Sequence, residues 1–169
     1  MSNIDFEILE TLAQASQDAY EAGNHNPDHY TLSERVEDPD TGFSVSIYGN
    51  DLGNSYIFAF SGTEMSVQDV FSDLTLGLSQ WSKNSWDIKN LIDRYFSEND
   101  DPQLYLTGHS LGGALAQYAA YEYAMAYAIS NPTVTAPFKL VTFNALGGEL
   151  GLKNPDLYDP LKTFMNGFT

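Results

Sequence analysis

The sequence predicts an α/β fold, a mostly parallel sheet flanked by helices, formed as one domain over residues 1–169. Three observations lead there. Apolar runs of strand length at 56–60, 104–106 and 138–143 alternate with runs of helix length at 81–97 and 110–130. The strand–helix–strand spacing from 56 to 107 suits a right-handed crossover between parallel neighbours. Finally, Gly108-His109-Ser110-Leu111-Gly112 lies where an apolar strand passes straight into an Ala-rich helix. Glycines flank the serine because the turn brings backbone segments too close for side chains.

Composition narrows the function classes. A chain of 169 residues, 43% apolar and 14% aromatic, is long enough and greasy enough to bury one core. Its 7 basic and 23 acidic residues give a formal charge of −16, which disfavours nucleic acid and anionic membrane surfaces as partners. There is no cysteine, so disulfides and thiolate metal sites are excluded. No apolar run reaches the ~18 residues of a membrane span. The first 20 residues carry Asp5, Glu7, Glu10 and Asp18 without a basic side chain, so no signal peptide is expected. Either the cytoplasm or export without an N-terminal signal fits this.

In chain order, residues 4–22 place Ile8, Leu12, Ala15 and Ala19 on one helical face, with Gly23 as a stop. Asn, His, Pro and Asp then make a loop through His29. His25 and His29 have the i, i+4 spacing of metal ligands, but Pro27 breaks any helix between them and no third ligand is in view, so no metal is expected. No spaced Asp-x-Asp-x-Asp loop for calcium is present either. Residues 43–48 alternate apolar and polar, 49–54 form a turn cluster, and 56–60 are apolar throughout, which reads as a hairpin with a fully buried second arm. Residues 81–97 space Trp81, Ile88, Leu91, Ile92, Tyr95 and Phe96 as an amphipathic helix, ended by Asn99 to Pro102. The strand 103–107 follows, then the helix from Ser110 to about Ser130, stopped by Asn131-Pro132, then a buried strand over 138–143. No repeats, low-complexity tracts or domain linkers interrupt this order.

The Gly-x-Ser-x-Gly pattern is weak alone, since a glycine-rich connection with a capping serine also fits it. The strand before it, the long helix after it and a further glycine at Gly113 favour a nucleophile elbow. In that setting GHSLGGALA over 108–116 resembles the class 3 lipases of the α/β-hydrolase fold. The resemblance extends over about residues 8–150. It implies a serine hydrolase of carboxylic esters, lipid or acylglycerol, with Ser110 as nucleophile and no cofactor. It also implies an oxyanion hole from the backbone N–H groups of Thr63 and Leu111. The sequel to the second hairpin strand, FAFSGTE, has Ser61 where the family has arginine, which removes a charge partner but keeps the Gly62-Thr63 turn. Residues 64–80 lie where the family carries a mobile lid; a fixed core helix is the alternative. Asp73 matches an Asp-Leu of the family and reads as a local hydrogen-bonding residue.

A serine hydroxyl needs a base, and in this fold the order is Ser, then Asp or Glu, then His. None of the 3 histidines lies beyond position 109, and His109 is too close to the turn for its ring to reach the Ser110 hydroxyl. His25 and His29 come too early. Asp156 and Asp159 are the candidate acids, with a plain acidic loop as the alternative. Residues 161–169 look like the lead-in to a further strand, so the expectation is a partial lipase-like domain whose exposed sheet edge invites self-association. A catalytically silent member, kept as a binding or interaction module, is the other reading.

Overall fold

The computed structural model describes residues 6–21, 25–62, 70–97, 102–130 and 138–145. In chain order the elements are α1 (Phe6–Asp18), β1 (Tyr30–Asp38), β2 (Phe43–Asn50), β3 (Ser55–Ser61), α2 (Val70–Ser97), β4 (Gln103–His109), α3 (Ser110–Ser130) and β5 (Phe138–Phe143). The five strands form one sheet in the order β1-β2-β3-β4-β5. β1, β2 and β3 are antiparallel, whereas β3, β4 and β5 run parallel. The expected α/β-hydrolase-like sheet is therefore present as a mixed one, with its parallel half around the Gly-x-Ser-x-Gly turn.

Each face of the sheet has its own core. Leu12 and Ala15 of α1, with Ala19 in the turn that follows it, pack on Tyr48, Ile57, Ala59 and Tyr105 on one side. On the other, Trp81, Ile88 and Ile92 of α2 and Ala114, Leu115 and Tyr118 of α3 cover Val45, Ile47, Phe58, Phe60 and Leu106. β3 and β4 are covered on both sides, which is why they read as nearly unbroken apolar runs. α3 is rich in alanine, and small side chains let its axis lie close to the strands beneath.

Two elements differ from the sequence reading. β1 was not expected, because its apolar residues Tyr30, Leu32 and Val36 do not share one face. A register shift between Leu32 and Glu34 explains this: Tyr30 and Leu32 pack toward α1, and Val36 toward α2 and α3. α2 begins at Val70 instead of 81, so residues 70–80 continue directly into the amphipathic helix. Gly77 lets this longer helix pass Leu111, where a Cβ would come within 2.8 Å of the leucine Cδ1. Leu78 and Gln80 are buried, so this end of the segment is fixed core helix; residues 63–69 lie outside the described residues.

Candidate active site

β4 ends at His109 and α3 begins at Ser110 with no residue between them. Ser110 takes up the reversal with φ at +52°, a left-handed conformation costing a non-glycine residue roughly 1–3 kcal/mol. The flanking glycines are required by packing. A Cβ on Gly112 would run into the Phe60 carbonyl of β3, and one on Gly108 into the Gly112 backbone. Ser110 is half-buried, at the first turn of α3, where the N–H groups have no partner within the helix.

β3 brings the second part of the site. Its parallel register sets Phe60 beside Gly108, and Gly62 follows two residues farther along. Leu111, only 3% exposed, lies directly against Gly62, since a Cβ there would come within 2.6 Å of the leucine Cδ2. The neighbour Thr63 lies outside the described residues, as do Asp156 and Asp159.

Sequence reasoning missed the polar support of this strand end. The Ser61 hydroxyl pairs with that of Ser44 at 2.5 Å and donates to the Ala19 carbonyl at 3.0 Å. Arg35 of β1 reaches the same place, donating to Ala19 O at 2.9 Å, to Ser46 Oγ at 2.6 Å and to Ser44 Oγ at 3.0 Å. A guanidinium from β1 thus shares the Ser44 and Ala19 partners of the Ser61 hydroxyl. Tyr20, Arg35, Phe43, Ser44, Ser61 and Gly62 border a cleft of about 290 Å³ at this edge. Tyr20 also touches the turn itself: its hydroxyl bonds to His109 O and to the Gly112 N–H. No local signal could have found Arg35 or Tyr20, because both contacts depend on the finished sheet.

The three histidines are dispersed. His29 leads into β1, whose first residue pairs with Asn50 at the amino end of the parallel strands. Ser110 stands at the carboxyl end, about 20 Å away along a seven-residue strand. The exposed His109 ring meets Tyr20 edge-to-face at 6.5 Å. His25 faces Glu21 at 3.4 Å and Asp18 at 4.0 Å, and is 69% exposed. The expected lack of a third ligand is therefore corrected: Asp18, Glu21 and His25 bring ligand atoms within 4.8 Å of one another, although His29 is not among them. Burial raises the Asp18 carboxyl above its ordinary value, with His25 opposing that shift.

The family model described as a Tle-like phospholipase domain, phospholipase-like, matches residues 11–147. Among curated proteins none matches the sequence. Solved structures with the same fold include a lipase from Rhizopus microsporus var. chinensis, 17% identical with a TM-score of 0.60, matched over 82% of this chain and 55% of its own. A triacylglycerol lipase from Penicillium expansum is 19% identical with a TM-score of 0.58, over 83% and 61%. The Rhizomucor miehei lipase, in complex with its propeptide, is 14% identical with a TM-score of 0.59, over 83% and 53%. The expected lipase fold is present, and the chain spans between half and two thirds of the length of these lipases.

Proposed function

The chain belongs to the Tle-like phospholipase domain family, and on that premise we propose that it is the nucleophile-bearing part of a serine hydrolase acting on phospholipid acyl esters. The left-handed Ser110 between β4 and α3 is the observation that carries the reading. In it, the Ser110 hydroxyl attacks the ester carbonyl, and the new C–O bond pushes the carbonyl electrons onto oxygen. The N–H groups of Leu111 and Thr63 hold that oxyanion, aided by the positive end of the α3 dipole. Collapse expels the alcohol as it takes up the serine proton, and water then releases the acid from the acyl-enzyme. No cofactor takes part.

Proton transfer is the weak point of the isolated chain. His29 stands at the far end of the sheet, and His109 is turned to Tyr20. Asp156 or Asp159 remains the proposed acid, awaiting a histidine to orient. General-base assistance contributes about 10²–10⁴-fold, so the 169-residue chain should hydrolyse a nitrophenyl butyrate or a micellar phospholipid only slowly. The slow rate should vanish in Ser110→Ala and persist in His25→Ala and His29→Ala. Hydrolysis indifferent to Ser110→Ala would remove the reading and favour a silent lipase-fold module. Rapid hydrolysis lost with either histidine would place the base there. We also propose that β5, an edge strand among the described residues, mediates self-association of the chain, with Leu140 exposed on it.

A further inference from the structure

Tyr20 lies 89 positions before His109 and 92 before Gly112, yet its hydroxyl joins both. It donates to the His109 carbonyl at 2.9 Å and accepts the Gly112 N–H at 3.2 Å, so the chain is held on either side of Ser110. The ring stands edge-to-face against His109. One residue earlier, the Ala19 carbonyl receives Ser61 and Arg35. The turn after α1 therefore ties the strand end before Gly62 to the turn at Ser110.

A left-handed serine persists only where its surroundings over-determine it. The hydrogen bond at His109 O fixes the peptide group that precedes the strained residue, and the one at Gly112 N fixes the peptide group one residue beyond it. Fixing the Gly112 amide also fixes the first turn of α3, and with it the direction of the adjacent Leu111 amide. We propose that Tyr20 is a positioning residue for Ser110, its hydroxyl setting the geometry in which the serine attacks and the Leu111 amide receives the oxyanion. This rests on Ser110 being the nucleophile. Packing alone would require only the aromatic ring, which phenylalanine supplies equally well.

The test uses the full chain, a fluorophosphonate probe in large excess over long incubation, so that a serine without its base is still captured slowly, and ¹⁵N-glycine labelling to follow the Gly112 amide by hydrogen exchange. Tyr20→Phe should lower the limiting rate of Ser110 capture by about tenfold, with the half-saturating probe concentration unchanged. It should also speed exchange of the Gly112 amide at least as much, while the melting temperature moves little. A variant that is captured at the wild-type rate, or that keeps the Gly112 amide protected, overturns the proposal. So does a wild-type Gly112 amide that exchanges as freely as an unstructured one, a measurement that needs no variant to fold. A wild type captured at no serine removes the nucleophile reading itself and the positioning role with it. Wild-type capture with an unaffected Tyr20→Phe removes the positioning role alone.

Discussion

Gly112 shows how little room the site leaves at single positions. The Phe60 carbonyl occupies the place of its Cβ, and that carbonyl is held by the sheet, so neither partner can yield. Gly112→Ala should therefore destabilise the chain by about 1–3 kcal/mol in denaturant titrations and abolish fluorophosphonate capture at Ser110. A wild-type unfolding midpoint in that variant would show that β3 and α3 lie farther apart. Residues of this kind were legible in the sequence, because the turn is set by neighbours within four positions. Tyr20 and Arg35 were not, because a hydroxyl or guanidinium that acts across the fold leaves no local pattern. Ser61 could be read locally as a turn residue, but only the structure shows that Arg35 shares its Ser44 and Ala19 partners.

At the scale of elements, legibility followed periodicity. β3, β4 and α3 are apolar almost throughout and stood out; β5 was also legible, but it is half-buried with Leu140 exposed instead of the buried strand expected, because it lies at an edge of the sheet among the described residues. The register shift in β1 moves its apolar residues from one side to the other. The turn between β1 and β2 is anchored to α2 by polar groups that periodicity also misses. Lys83 and Asn84 bond to the Asp38 carboxylate, and Gln80 donates to the Thr41 carbonyl at 2.6 Å. Desolvation pushes the Asp38 carboxyl up, but the donors Lys83, Thr41, Asn84 and the Asp40 N–H outweigh it and hold the group well below the usual carboxylate range. A lowered folded-state value stabilises the fold above the unfolded value of about 3.9 and is progressively lost as the pH falls below it. Asp38→Asn should accordingly melt at a lower temperature than wild type at neutral pH, with the gap closing as the pH is taken from about 5 to about 2. A gap independent of pH would mean that the carboxylate charge contributes nothing to holding the hairpin on α2.

For the whole molecule, charge opposes the apolar surface. At −16 the chains repel one another, but at about 1 M salt the screening length falls to about 3 Å, and the repulsion fades while apolar contacts strengthen. Light scattering should then report growing association as salt rises from about 0.01 M, and a monomer at both extremes would remove the proposed pairing through β5. The order of the sheet carries a consequence for synthesis on the ribosome. Strands that lie side by side in the order they are made can be added one at a time, each to the edge left by its predecessor. α1 emerges first and packs on β2, β3 and β4, so it must wait for partners made later, the last of them β4. At roughly 5–20 residues per second that wait lasts seconds, during which its apolar face is open to chaperones.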